Sequence, residues 1–258
     1  MLSWLASLPG TKRSLVINAC LFRKPYLLKC VNAIIHLPNC VIRQATIKTT
    51  FTMLHIIVKC NFNIRNHLNL KYFMPNISIM SCSIRPERNS HRVALYFKKY
   101  LEENNLGQAS IIDLMELKFP IFENTMKLQK NPPANLIAYA EKIILSDGII
   151  MVTPEYNGGY PASLKNAIDV LYDEWKHKPI AIVTVSSGPF GGSQALVALQ
   201  FVLWKMKAWT IPAMFSVPDV QKAYDEKGNA TDKAATDKLA AVFIKEFLWC
   251  IEADMGTN

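Results

Sequence analysis

The run Gly148-Ile149-Ile150-Met151-Val152 constrains this chain more than any other stretch. It is uncharged, rich in β-branched residues and stopped by Pro154. Apolar residues in unbroken succession describe a strand covered on both faces, the situation of a parallel sheet with helices above and below. The stretch Thr153-Pro154-Glu155-Tyr156-Asn157-Gly158-Gly159-Tyr160 then forms a loop at the carboxyl edge of that sheet. Ala162, Leu164, Ala167, Ile168 and Leu171 follow at helical spacing, with Pro161 suited to a first turn. Gly158-Gly159 permit positive φ and a close backbone approach to a flat ligand. They serve an ordinary tight turn equally well, and the fragment alone leaves both readings open.

The same alternation runs through the chain from Met74. Asn76 to Met80 is a short apolar strand followed by the polar stretch Ser81 to Ser90. Val93, Ala94, Phe97, Tyr100 and Leu101 are spaced as a helix, with Asn89 or Ser90 as its N-cap. Ala109 to Asp113 reads as strand two and Leu114 to Pro133 as a long irregular connection. Ala134 to Leu145 is a helix with Ile137, Ala140, Ile143 and Ile144 inward. Pro179 to Val185 is strand four, and Ala195, Leu199, Val202, Leu203 and Met206 mark the inner face of the helix beyond it. Thr210 to Val217 is a fifth strand, and Lys233 to Cys250 a closing helix.

Strands alternating with helices require a parallel sheet with right-handed crossovers. In the order 2-1-3-4-5 the first, third and fourth strands are neighbours, so their loops converge on one crevice. The loop after the first strand joins a strand to a helix N-terminus, where free N–H groups and the helix dipole favour an anion. Ser83 and Ser90 add hydroxyl donors, and Arg85 and Arg88 add forked cations suited to phosphate. An ordinary connection with surface arginines has the same composition. The loop after strand four, Ser186-Ser187-Gly188-Pro189-Phe190-Gly191-Gly192-Ser193, is glycine-rich like the one after strand three.

Half of the 258 residues are apolar, ample for a core. The net charge of +9 is unevenly placed: residues 1–73 hold ten Lys and Arg and no acid, whereas residues 74–258 hold 19 basic and 20 acidic residues, a net of −1. A nearly neutral patterned part gives no electrostatic ground for a nucleic-acid or membrane partner. No run of about 18 apolar residues exists to span a bilayer. Residues 1–73 form a basic, acid-free extension expected to stand outside the fold, with Met74 as an internal start. A transit segment, which would make the protein mitochondrial, and a basic binding arm are the alternatives. Cys82 and Cys250 are the only cysteines after residue 73, which suits a reducing, cytoplasmic setting, and no His/Cys/Asp cluster has metal spacing.

Taken together, Ser83-Ile84-Arg85-Pro86-Glu87-Arg88, Pro154-Glu155-Tyr156-Asn157-Gly158-Gly159 with Leu164-Lys165-Asn166-Ala167-Ile168-Asp169, and Ser187-Gly188-Pro189-Phe190-Gly191-Gly192 resemble the NADPH-dependent FMN reductase family, which includes azo and quinone reductases. The resemblance covers about residues 75–254. It implies a flavodoxin-like three-layer α/β sandwich with a five-stranded parallel sheet, order 2-1-3-4-5. It implies that Ser83, Arg85, Arg88 and Ser90 hold the FMN phosphate and that Pro154, Glu155, Tyr156, Asn157 and Gly158 line the ring and ribityl chain. Ser187, Gly188, Gly191 and Gly192 would close the other side. The family often has Gly where this chain has Cys82 and Glu87. The chemistry implied is hydride transfer from NADPH through FMN to a small-molecule electron acceptor, with no catalytic side chain, in a homodimer or homotetramer. Glu155 is read as a hydrogen-bond acceptor that fixes its loop.

Two other readings stand beside this one. Cys82 and Arg88 have the Cys-x5-Arg spacing of low-molecular-weight phosphatases, with a thiolate nucleophile, but Pro86 removes one of the amides such a loop needs. A flavin-binding electron carrier or redox-responsive interaction protein would share the fold; carriers of this type are strongly acidic, unlike residues 74–258. His91 beside Arg92 could assist a phosphate but reads more readily as an exposed helix-face residue, and Trp204 and Trp209 read as core or subunit contact.

Overall fold

The computed structural model describes residues 74–257, so the expectation that residues 1–73 stand outside the fold lies outside the described residues. Five helix and strand repeats build one parallel sheet. Strand β1 is Asn76–Ser81, β2 Gln108–Asp113, β3 Gly148–Pro154, β4 Pro179–Val185, β5 Trp209–Thr210 and β6 Phe215–Val217. The order is β2-β1-β3-β4-β5, with β6 also paired to β4, and every pairing is parallel.

The helices are α1 (Asn89–Glu103), α2 (Leu114–Leu117), α3 (Ala134–Leu145), α4 (Ala162–Asp169), α5 (Ser193–Lys205), α6 (Val220–Ala223) and α7 (Lys233–Thr257). Alternate residues of β3 enter different cores. Ile150 and Val152 pack with Val93 and Phe97 of α1 and with Phe243 and Phe247 of α7, whereas Ile149 and Met151 pack with Tyr139 and Ile143 of α3, Leu164 of α4 and Leu199 of α5. β4 divides likewise, Ala181 and Val183 to one side, Ile180 and Ile182 to the other. Both faces are therefore apolar, and the strands read as continuous hydrophobic runs.

Three expectations need correction. The fifth strand is broken in two: Trp209 pairs with Pro179, but Phe215 pairs with Val183, so two extra residues are looped out around Pro212. Ile211 N–H still reaches Ile180 O at 3.0 Å, and Pro212, which has no N–H, stops the ladder there. Helix α3 is turned from the expected face, burying Leu136, Tyr139, Ala140 and Ile143 and leaving Ile137 and Ile144 exposed. Tyr139 decides this rotation, because its ring is buried and its hydroxyl donates to Ala167 O at 3.0 Å. The last helix runs to Thr257 instead of Cys250, with Ile251 buried on its inner face.

The long connection after β2 is tied to α4 by the Asn166 amide and, further on, by Met126 N donating to Val170 O at 2.8 Å. Asn166 Oδ1 accepts from Phe122 N at 2.7 Å and its Nδ2 donates to Pro120 O at 2.8 Å. Among the described residues no helix is long and apolar enough to cross a membrane.

Helix α7 crosses β3 at Gly148, where a Cβ would lie 2.6 Å from Phe247 Cζ and 2.7 Å from Ile251 Cδ1. Both side chains are buried and have no room to retreat. Gly148→Val is expected to cost about 1–3 kcal/mol by overpacking, read as a lower urea midpoint with unchanged slope.

Candidate functional site

The turns that follow β1, β3 and β4 lie side by side at the carboxyl edge, and hydrogen bonds tie each to the next. In the first, Ser83 is buried and residues Ile84 to Glu87 face solvent. Ser83 Oγ accepts from Arg85 N at 3.3 Å and lies 2.7 Å from the hydroxyl of Tyr156 in the second turn. The Arg85 guanidinium sits over the Tyr156 ring, 5.6 Å from its centroid. Glu87 has φ 51°, a left-handed conformation that glycine adopts without steric cost.

The second turn is a two-residue hairpin. Tyr156 N donates to Gly159 O at 2.7 Å and Gly159 N to Tyr156 O at 3.1 Å, with φ 52° at Asn157 and 78° at Gly158. Positive φ at both central residues is the type I′ turn that Asn-Gly favours. Just before it, Glu155 Oε2 accepts from Gln194 N at 3.0 Å and Ala195 N at 3.1 Å. The carboxylate thus caps α5, whose own N-cap Gly192 has no side chain to do so, and complements the helix dipole. This is the loop-fixing acceptor anticipated for Glu155.

In the third turn Gly191 and Gly192 are buried, because added Cβ atoms would meet Ser216 Cβ and Thr184 Cβ, each at 3.0 Å. Ser187 and Gly188 stand at the rim, with Gln221 Nε2 donating to Ser187 Oγ at 3.1 Å and Asp219 N donating to Gly188 O at 3.2 Å. Of the residues anticipated for a cofactor, Ser83, Arg85 and Pro154 to Gly158 adjoin one another. Gly191 and Gly192 form the floor beneath α5. Arg88 points away from the exposed loop to pair with Asp113 at the end of β2.

Among the described residues, the buried side-chain polar atoms with no hydrogen-bond partner are Arg88 Nε, Asn89 Oδ1 and Ser90 Oγ. They are consecutive and occupy the start of α1, a helix that no side chain caps. A buried donor left unmade costs about 1–3 kcal/mol, so two such donors at a helix N-terminus describe a place for an anion. The Asn89 amide turned over would add a third donor. A phosphate monoester is an anion of the kind such donors accept.

Sequence reasoning missed Asp113 and Ser81. Asp113 Oδ1 accepts from Met115 N at 3.0 Å to cap α2, while Oδ2 takes Arg88. Its position as the last residue of a strand beside β1 was the available signal. His91, expected on an exposed face, is half-buried with Nδ1 3.0 Å from Ser81 Oγ. Trp204 and Trp209 are exposed, which removes the core reading for both. Cys82 is fully buried in the cluster with Met80 and Ile112, and burial pushes its thiol far above the ordinary range. A phosphatase nucleophile needs an accessible thiolate, so the structure overturns the Cys82/Arg88 alternative.

A family model described as NADPH-dependent FMN reductase matches residues 75–222. The chain is 36% identical over 144 residues to the NAD(P)H-dependent FMN reductase LOT6 of Saccharomyces cerevisiae, covering 51% of this chain and 74% of that one. It is 48% identical over 144 residues to an NAD(P)H-dependent FMN reductase of Schizosaccharomyces pombe, covering 54% and 71%. The flavoenzyme FerB of Paracoccus denitrificans, an NAD(P)H:(acceptor) oxidoreductase, superposes with a TM-score of 0.58 at 26% identity, covering 70% of this chain and 99% of that one.

Burial lowers the His91 pKa from its ordinary 6.5, and Arg88 lowers it further against the opposing pull of Asp113 and Glu116. The unfolded chain therefore binds more protons in the window just below 6.5, so stability rises with pH there and is lost as pH falls through it. Urea unfolding at steps between about pH 7 and pH 5 should show that slope, and His91→Gln should flatten it. Equal slopes in the two proteins would remove His91 as its source.

Proposed function

Since the chain belongs to the NADPH-dependent FMN reductase family, we propose that it is an FMN-containing oxidoreductase that takes hydride from NADPH and delivers it to a quinone, azo compound, free flavin or similar small acceptor. The observation that carries the site assignment is the trio of unpartnered buried atoms at the α1 N-terminus, at the sheet edge that also carries the two glycine turns. Bound FMN would supply the hydride chemistry.

The protein's part is to bind, orient and exclude. Ser83, Ser90, the Arg88 Nε and the first turn of α1 are the residues we assign to the phosphate. Arg85 stands exposed at the same turn, where it adds positive charge at the mouth. Backbone of the Tyr156–Gly159 hairpin offers a surface without bulky side chains at Gly158 and Gly159, suited to a planar ring, and Ser187 with Gly188 borders the opposite side. Glu155 keeps hairpin and α5 in register, its Oε2 accepting two backbone N–H groups, and is assigned this fixing role and not that of a base. One ring face left open serves donor and acceptor in turn, so the kinetics are expected to be ping-pong.

Residues 74–258 are proposed as the reductase domain. The purified full chain, and a chain started at Met74, are both expected to be yellow or to become so with FMN, and to bleach anaerobically on adding NADPH. FMN binding without NADPH oxidation would leave an electron carrier. A colourless protein that FMN cannot reconstitute would sink the reading.

The assembly proposed is a homodimer or larger homo-oligomer. Val197, Phe201 and Trp204 stand exposed at i, i+4 and i+7 on α5, the two aromatic rings 5.7 Å apart, and Phe190 in the turn before α5 is exposed as well. A second copy seated there would cover both this apolar stripe and the open side of the glycine turn. Sedimentation velocity should give a dimer or larger for the native chain and a monomer for Trp204→Lys; an unshifted sedimentation coefficient would move the contact elsewhere.

A further inference from the structure

The bond between Ser83 and Tyr156 joins the two ends of the ligand site, and its role toward a phosphorylated flavin rests on the FMN reading. Ser83 is buried at 1% exposure, and its Oγ has two close polar neighbours, Arg85 N at 3.3 Å and Tyr156 Oη at 2.7 Å. A serine hydroxyl offers two lone pairs and one proton. The Arg85 amide can only donate, so it takes one lone pair. If Tyr156 also donates, the second lone pair is filled and the Ser83 proton is left to point at a third group. The unpartnered Arg88 Nε and Ser90 Oγ at the start of α1 mark where an anionic third group fits.

We propose that Tyr156 is a positioning residue for the phosphate: it donates its phenolic proton to Ser83 Oγ and thereby turns the Ser83 hydroxyl into a dedicated phosphate donor. Tyr156 belongs to the hairpin assigned to the ring, so this bond couples ring loop to phosphate loop. The Arg85 guanidinium lies over the face of the Tyr156 ring, 5.6 Å from its centroid. An aromatic that merely walled the ring site would act on any flavin. A residue acting through Ser83 acts only on a phosphorylated one.

The test compares FMN with riboflavin, which lacks the phosphate, on the full chain stripped of flavin, by quenching of flavin fluorescence. Tyr156→Phe is expected to raise the FMN Kd about tenfold, the equivalent of one oriented hydrogen bond, and to leave the riboflavin Kd within about twofold. Ser83→Ala is expected to lose the same FMN preference, and Tyr156→Phe placed on top of Ser83→Ala to add nothing further. Equal weakening of both flavins, no weakening of either, or additive losses in the double variant would each overturn the proposal; should Tyr156→Phe not fold, loss of FMN preference in Ser83→Ala with riboflavin binding intact remains required. A native chain that binds neither flavin, or binds both alike, would instead strike at the FMN reading itself.

Discussion

Glu155 holds the working edge of this protein together. Its carboxylate, one residue beyond β3, accepts the first free amides of α5 and so fastens the turn after β3 to the turn after β4. The geometry is available only because β3 and β4 are adjacent parallel strands with aligned ends, Pro154 opposite Val185. That alignment in turn rests on burial of both faces, which sets strand register by packing on two sides at once. On the other flank, Ser163 Oγ donates to Cys82 O at 2.9 Å and Tyr156 meets Ser83, so the turn after β1 is joined from two directions. Three turns far apart in sequence become one surface through four side-chain contacts.

The cations of the first turn divide their work. Arg88 is tied to Asp113, largely out of solvent, and that pair anchors the start of α1 to β2 more than it supplies net charge. A paired, partly buried charge contributes geometry at a desolvation cost, and removing either partner would strand the other. Its Nε, still free of protein partners, keeps one directed donor for an anion. Arg85, exposed and stacked, keeps its full charge for whatever approaches from solvent. Two residues of one type, three positions apart, thus differ in role because one lies above the end of a neighbouring strand and the other above an aromatic ring.

Much of this was legible in advance. The inner face of α1, with Val93, Ala94, Phe97, Tyr100 and Leu101, is buried as its spacing indicated, and β4 has the bounds its apolar run marked. The α3 face was misread because Leu136 and Tyr139 compete with Ile137 and Ile144 for the same sheet, and hydrophobicity alone does not rank them. Tyr139 wins through a buried hydroxyl bond to α4 that no local pattern contains. The break at Pro212 was marked by the proline itself, yet the two-residue slip in pairing depends on where β4 offers partners again.

What the linear chain determined is the alternation of buried strands and amphipathic helices, and with it the single edge where the polar and glycine turns had to gather, since period and apolar run length are local properties that parallel crossovers convert directly into topology. What only the folded structure decided is which atoms there are satisfied and which are not: that Asp113 takes Arg88, that Glu155 takes α5, that Tyr156 reaches Ser83, and that Arg88 Nε and Ser90 Oγ are left over. Hydrogen bonds are made across distances in sequence that no periodicity encodes, and a site is defined by the donors that remain when those bonds have been counted.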